Sequence, residues 1–455
     1  MGSLLTSLLN SAGALRVYDR AFNVIENNVT NANTPGYVSQ DQSLVAMTFN
    51  PAAGLGGGVM AGDLISARSA YLDQAVRSQT ELLGGAQQQA SDLAQIQPFF
   101  DTTGASGVPG ALTAFFNSVS QLSVNPNDEV SRQGVIDASQ TLAQRFNQNA
   151  GGIQKTAANV GIEIRNAVSS INDLAAQIAG IDEQFRASPD ASHNAGLDAQ
   201  LNAALEQLSQ FVHYTALKSP DGGFTVFAGG QAPLVIGAQA YALSADFSAP
   251  QTAVRDSQGK DITAQLQNNG GTLGALLQTA NVTLPGYVTS LNTVAQSFAD
   301  AVNNQLSLGV DRNGNPPAVN LFQYNAALGA AATLSVTNIA PDRIAAATAA
   351  APGGNGNALA IAQLATQPLV NGFTVTQAYG NLGGQVGRDI ADAQQEQTAQ
   401  QNLLDQAHQQ RAAATGVSLN AEAAKLLEFQ QAYQAVGKLV TTLDSLTQTV
   451  IDMVK

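Results

Sequence analysis

Few residues in this chain have the type and spacing to do chemistry. His193, His213 and His408 are the natural candidates for metal ligands or proton carriers. They stand far apart and lack ligand spacing, so they read as surface or core side chains. Gly54-Leu55-Gly56-Gly57-Gly58 has the glycine content of a phosphate loop, without the strand–helix context or a following Lys-Ser/Thr. Asp311-Arg312-Asn313-Gly314-Asn315 starts like a calcium loop, but no Glu closes it and a turn is the simpler reading. Asn28-Val29-Thr30 and Asn281-Val282-Thr283 match the glycosylation sequon. No Ser/His/Asp set and no paired carboxylates emerge from residue order alone. The expectation is a protein that is not an enzyme, with no catalytic residue, no metal and no cofactor.

Composition points to assembly. Charged residues are 11% of the 455, well under the usual quarter, while hydrophobic residues are 44%. The balance is Gln, Asn, Ser and Thr, which suits a surface largely covered by copies of the same chain. The net charge of -14, with no Lys/Arg cluster, argues against sustained nucleic-acid binding and against anionic membranes. The excess acid lies in the middle of the chain, and the two ends are nearly balanced. The absence of cysteine rules out a disulfide scaffold and a thiolate metal site. A thiol-free chain suits passage unfolded through a secretion channel; drift in an Ala/Gln-rich sequence explains it equally well. Residues 1–10 lack the basic and apolar segments of a cleaved signal peptide, and no apolar run reaches the roughly 18 residues of a membrane span. The length predicts roughly two to four domains.

The elements that must position any function lie at the two ends. Leu4, Leu8, Ala12, Leu15, Tyr18, Phe22, Ile25 and Val29 recur at steps of mostly three and four. They predict a helix from Ser3 to about Asn28, roughly 40 Å long. Asn33-Thr34-Pro35-Gly36-Tyr37 stops it: Pro35 disfavours helical geometry at Thr34, and Gly36 supplies a turn. A second stripe follows a break at Thr415–Ser418. It comprises Leu426, Phe429, Tyr433, Val436, Val440, Leu443, Leu446, Val450 and Val454, and predicts a last helix of roughly 50 Å. Such helices are marginal alone in water and need each other and neighbours.

Between the ends, the pattern predicts a helix over 63–100 with Leu64, Ala67, Tyr71, Ala75 and Leu82 on one face. Further helices are expected over 112–122, 128–150, 153–186 and 194–208, with a break at Ser188-Pro189-Asp190. From Phe211 the period shortens, and β-branched and aromatic runs between Gly pairs read as hairpins. Helices return over 284–308, 357–364 and 373–408, the last interrupted around Gly380 to Gly387.

These motifs carry a resemblance. The block Asn27-Asn28-Val29-Thr30-Asn31-Ala32-Asn33-Thr34-Pro35-Gly36-Tyr37 resembles the rod/hook-type signature of the axial proteins of the bacterial flagellum. Phe429 to Ala435 resembles their matching terminal motif. Flagellin lacks the Asn-Thr-Pro-Gly-Tyr element, which weighs against the filament subunit. Ala114 to Leu122 followed by Asn125-Pro126 is similar to the hook-associated protein 1 family, the first hook–filament junction proteins. So are Asp221-Gly222 with Val226-Phe227 and Gly229-Gly230, Leu284-Pro285-Gly286-Tyr287 leading to Asp300-Ala301-Val302-Asn303, and the turn Gly309 to Gly314. The resemblance runs nearly end to end.

The resemblance implies export through the flagellar type III apparatus without a cleaved signal, and an extracellular place at the hook–filament junction. It implies homo-polymerisation on the hook protein, a second junction protein building on this one, and an export chaperone on the C-terminal helix. In such a protein both sequons are discounted. The extra outer domain that many members carry after Leu321 looks absent or very small here.

The expected fold is mainly α with an inserted β-rich domain. Paired terminal coiled-coil helices occupy 1–45 and 412–455. A helical-bundle body takes 46–210, 275–318 and 346–411, and a small outer β domain takes 211–274 and 319–345. The two stripes, with Asn33, Pro35, Gly36 and Tyr37, form the expected assembly interface. The terminal seams are expected to be largely disordered in the free subunit and to fold on the growing tip, driven by apolar burial at roughly 25 cal/mol per Å². A hook or distal-rod protein is the alternative, disfavoured by the helical stretch from 63 to 208. A wall hydrolase is a third reading that no acid/base pair or nucleophile supports.

Overall fold

In a computed structural model the chain is described over residues 2–50, 55–100, 107–187, 194–219, 223–267 and 270–454. The fold is mainly α with several small sheets. The first helix, α1 (Gly2–Thr30), ends at the Asn-Thr-Pro-Gly stop. A long hairpin follows, of β1 (Gln40–Ala46), β2 (Phe49–Asn50), β3 (Leu55–Gly56) and β4 (Val59–Ser66). β1 pairs antiparallel with β4 from Gln40↔Ser66 to Ala46↔Val59, with a bulge between Gln42 and Leu44, and β2 pairs with β3.

Residues 63–66 are therefore strand, and the helix expected from residue 63 begins later, as α2 (Ala70–Ile96). The helix-like spacing of Leu64, Ala67 and Tyr71 is accidental. Backbone pairing with β1 claims Leu64, and Tyr71 is 80% exposed. The buried face of α2 runs instead through Val76, Leu83, Ala86, Ala90, Leu93 and Ile96.

After α3 (Val108–Val124), the Asp128 carboxylate accepts from Ser131 N–H at 2.8 Å and caps α4 (Glu129–Ala187). The two helices expected over 128–150 and 153–186 are this one. Gly152 does not break it because the helix carries the turn through and the Phe99 ring needs the space. A Cβ at Gly152 would run into that ring. The break expected at Ser188-Pro189-Asp190 lies outside the described residues. Asn194 caps α5 (Ala195–Phe211), its side chain accepting from Gly196 and Leu197 N–H.

A four-stranded antiparallel sheet then takes β5 (Tyr214–Lys218), β6 (Phe224–Ala228), β7 (Ala232–Ile236) and β8 (Gln239–Ala240) in sequential order. The Asp221-Gly222 motif lies outside the described residues. β9 (Ser244–Asp246) pairs with β10 (Ala253–Arg255). Next come α6 (Thr263–Gln267), α7 (Gly271–Gln278), a π-turn over Thr279–Thr283 and α8 (Leu284–Ser307). β11 (Gly309–Val310), β12 (Phe322–Gln323), α9 (Ala330–Thr333), β13 (Ser335–Val336) and β14 (Ala347–Thr348) form two short ladders, β11 with β14 and β12 with β13. After α10 (Gly356–Gln363) come α11 (Val375–Thr415) and α12 (Leu419–Val454). The interruption expected near Gly380 to Gly387 does not occur. A helical glycine costs about 1 kcal/mol against Ala, and burial of Tyr379, Leu382, Val386 and Ile390 along α11 offsets it.

Packing divides the chain into two compact units. One comprises Met1–Leu83, Ser170–Leu243 and Gln400–Lys455. It holds the terminal helices, the long hairpin and the four-stranded sheet. The other comprises Gly84–Ser169 and Ser244–Ala399. Its centre is aromatic: Phe115, Phe116, Phe298 and Phe322 are buried and meet mostly edge to face. There the buried Arg132 guanidinium donates to the carbonyls of Pro126 at 2.8 Å and Ile344 at 2.7 Å, pinning the start of α4 to the β13–β14 connection.

Asparagine has a recurring job in both units. Asn28, Asn172, Asn281 and Asn303 each pair with both the N–H and the C=O of one distant residue: Gln40, Leu243, Thr252 and Phe322 respectively. Each side-chain amide acts as one rung of a strand where no strand runs. Part of the amide-rich composition is therefore spent satisfying buried backbone, not only on an outer surface.

Candidate assembly site at the chain termini

Asn28 sits in the last turn of α1 and is fully buried. Its Oδ1 accepts from Gln40 N–H at 3.0 Å and from the Tyr37 hydroxyl at 2.9 Å, and its Nδ2 donates to Gln40 O at 2.8 Å. One amide thus fixes the end of α1, the turn after it and the start of β1. Within the turn, Asn31 Nδ2 donates to Asn27 O, Thr34 Oγ1 to Asn31 Oδ1, and Tyr37 N–H to Thr34 O. Burial, and then the charge of Glu422, push the Tyr37 hydroxyl above its ordinary value.

Gly36 has φ +75° and its backbone lies against the Ala199 carbonyl on α5, where a Cβ would collide. Arg68 holds the same spot: its Nη2 donates to Gly36 O at 2.6 Å, Nε to Asp198 at 2.5 Å and Nη1 to Asp73 at 3.0 Å. Arg411 reaches Glu206 at 2.6 Å and Asp73 at 3.6 Å. This charged knot clamps the root from which both terminal helices emerge.

The root also sets their direction. Ser39 N–H donates to Thr415 O at 2.9 Å, and Lys425 Nζ meets Asp41 at 3.0 Å. The end of α1 thus lies beside the start of α12, and the two helices run antiparallel. Ser418 starts α12 with a long cap, Ala421 N–H to Ser418 Oγ at 3.4 Å. Glu422, one residue late for a capping box, turns inward and is 2% exposed, with its Oε2 unpartnered.

Tyr18 meets Phe429 at 6.0 Å between ring centres, and Phe22 meets Tyr433 at 5.9 Å. The pair is only partly closed. Leu4, Leu8, Leu15, Tyr18 and Phe22 are half-buried, Ile25 is buried and Val29 is exposed. Gly36 and Tyr37 are half-buried, whereas Asn33 and Pro35 are exposed. On α12, Phe429, Tyr433, Val436, Val440, Leu443 and Val450 are half-buried, and Leu426 and Leu446 are exposed. Among its described residues only Glu422 is buried.

The deepest seam of α1 is Ser11, Ala14, Val17, Ala21, Ile25 and Asn28, turned from the large-residue stripe toward the hairpin. Small side chains let β3 and β4 approach, and a Cβ on Gly56 would meet Thr6 and Asn10. Both ends are helical throughout their described length. Sequence reading missed Asn28, Gln40, Arg68 and Glu422. Asn28 alone had a usable signal, since it continues the Ala14, Val17, Ala21, Ile25 spacing.

The other motifs are accounted for by local structure. His213 Nδ1 lies 3.0 Å from Glu81, and His408 lies 3.8 Å from Glu206; His193 is outside the described residues. Asp311 Oδ1 accepts from Asn313 and Asn315 N–H, closing a turn. Both sequon asparagines, Asn28 and Asn281, are occupied by backbone pairing. Of the Gly54–Gly58 run, residues 55–56 are strand β3 and 57–58 the link to β4; residue 54 lies outside the described residues. Among the described residues no three His, Asp or Glu converge on one point, and no helix is long and apolar enough to cross a membrane.

Comparison with known proteins agrees with this architecture. A family profile described as the flagellar hook-associated protein FlgK helical domain matches residues 93–322. A second, described as flagellar basal body rod FlgEFG protein C-terminal, matches residues 408–453, which take in α12 up to its last residue but one. The flagellar hook-associated protein 1 of Bacillus subtilis (strain 168) is 26% identical over 501 residues, 99% of each chain. The protein of the same name from Salmonella typhimurium is 29% identical over 328 residues, 68% of this chain and 58% of the relative's length. The solved structure of the flagellar hook junction protein FlgK from Burkholderia pseudomallei shares the fold, with a TM-score of 0.66 at 19% identity over 74% of this chain and 99% of that one.

Proposed function

The chain belongs to the family of the flagellar hook-associated protein FlgK, and from that membership we propose that it builds the hook–filament joint by polymerising through α1 and α12. Its role is structural. The observation that carries the assembly reading is α12: a helix of 36 residues that, among those described, has one buried side chain, and that one a carboxylate. A finished monomer has no use for Leu426 at 43% and Leu446 at 49% exposure on a helix that also spends Phe429 and Tyr433 on its partner. The proposed interface is the two stripes together with the Asn33–Tyr37 root. The proposed division by role keeps 1–45 with 412–455 as the assembly element. It keeps 46–210, 275–318 and 346–411 as the body, and 211–274 with 319–345 as a β-rich outer part.

The finer partners follow from the same reading. The hook protein lies below, a second junction protein above, and an export chaperone takes the uncovered face of α12 before the chain leaves the cell. The helical body favours this over a hook or distal-rod subunit. The test adds the full chain, or its Phe429→Asp/Tyr433→Asp variant, to isolated hook ends and images them. The variant should keep its helical circular dichroism and fail to cap the hook. Capping at the wild-type level would overturn the proposal.

A further inference from the structure

The helical unit contains a buried acid that its structural role does not explain. Asp92, on α2, is fully buried. Its Oδ1 accepts from Gln88 Nε2 at 2.7 Å, and its Oδ2 has no partner. The same Gln88 amide donates to Glu163 Oε2, on α4, at 2.5 Å. Thr279, first residue of the π-turn between α7 and α8, is buried with its side chain beside the Asp92 carboxyl, where it favours the ionised form. Two carboxyl groups from two helices therefore share one amide, and they do so against a turn where the helix is locally widened. Such turns are rare inside α-helical runs and frequently mark functional positions.

We propose that Asp92, Gln88 and Glu163 form a proton-operated brace joining α2, α4 and the Thr279–Thr283 turn, closed when Asp92 carries a proton and loosened when both acids are ionised. With the proton in place, one neutral acid and one carboxylate divide the two amide hydrogens of Gln88. Without it, a second charge sits in the interior with one oxygen unsolvated. Glu163 is the charged group facing Asp92 from α4; Gln88 beside it on α2 is neutral, and the turn residues Thr279-Ala280-Asn281-Val282-Thr283 carry no charge. Burial pushes Asp92 up to about 6 from an ordinary 3.8; the Glu163 charge adds to this, and the Gln88 hydrogen bond and the neighbouring Thr279 side chain oppose it. The folded chain thus holds the proton more tightly than the unfolded chain. The stability this group contributes is complete below the ordinary value and is lost as pH rises through about 6.

The experiment compares the full chain with Asp92→Asn, in which an amide stands in for the protonated acid. Amide hydrogen exchange across Thr279–Leu284 is followed at pH 4.5 and pH 8, corrected for intrinsic rates. Protection in the variant should exceed the wild type by up to roughly a hundredfold at pH 8, the equivalent of about two pH units, and the margin should shrink severalfold at pH 4.5. In parallel, the wild-type chain labelled at Asp carboxyl carbons is titrated by NMR. The Asp92 midpoint should lie near 6 and move down in Glu163→Gln. A wild-type midpoint below about 4.5, or a margin equal at the two pH values, overturns the brace. If Asp92→Asn fails to fold, the wild-type titration decides alone.

Discussion

The aromatic centre of the helical body and the aromatic ladder of the terminal pair use the same residues to opposite ends. In the body, Phe298 meets Phe115 and Phe322 at 5.2 Å each, and all three are at most 1% exposed. In the terminal pair, Tyr18–Phe429 and Phe22–Tyr433 stand near 6 Å and every ring is half-exposed. The body closes its core with its own chain. The terminal pair covers one side of each seam and leaves the rest open. Similar side-chain chemistry therefore gives a closed core in one place and a partly open seam in the other, and the difference lies in how many elements surround the ring.

That contrast can be broken by substitution. Phe298→Ala should destabilise the soluble chain most, by about 3–5 kcal/mol, through loss of buried area and the cavity left behind; urea denaturation would show it. Asn28→Ala should come next. It strands the N–H and C=O of Gln40 and the Tyr37 hydroxyl, at a cost of about 2–3 kcal/mol confined to the root; faster proteolysis of the 30–40 segment is the readout. Tyr433→Ala and Leu446→Ser should be the mildest in solution, about 1 kcal/mol and under about 0.5 kcal/mol respectively, yet the most damaging to capping of hook ends. If Tyr433→Ala cost as much as Phe298→Ala in the soluble chain, the terminal pair would be an ordinary core and the contrast would fail.

Much of the site was legible from local pattern. The two stripes gave both terminal helices, and Pro35-Gly36 gave the end of α1, because periodicity and turn chemistry act over a few residues. The errors share a cause. Gly152 was read as a break, since nothing near it in sequence reveals that Phe99 occupies its missing side chain. Leu64 was put on a helix, since its spacing is helical and only the distant pairing with β1 makes it strand. Asn28 stood only as a helix end and the first residue of a sequon, since its partners are the backbone of Gln40 and the Tyr37 hydroxyl.

By itself the sequence determined that this chain is helical at both ends, poor in charge and built to pair its termini. These are properties of composition and of short-range spacing, which any fold must respect. Only the tertiary structure decided which face of each terminal helix is covered and that the helices run antiparallel from a charged root. It alone showed that asparagine side chains complete the backbone hydrogen bonding of residues distant in sequence. The reason is physical: coverage, direction and the satisfaction of a buried polar group depend on residues brought together from far along the chain, and no local pattern encodes which neighbour arrives.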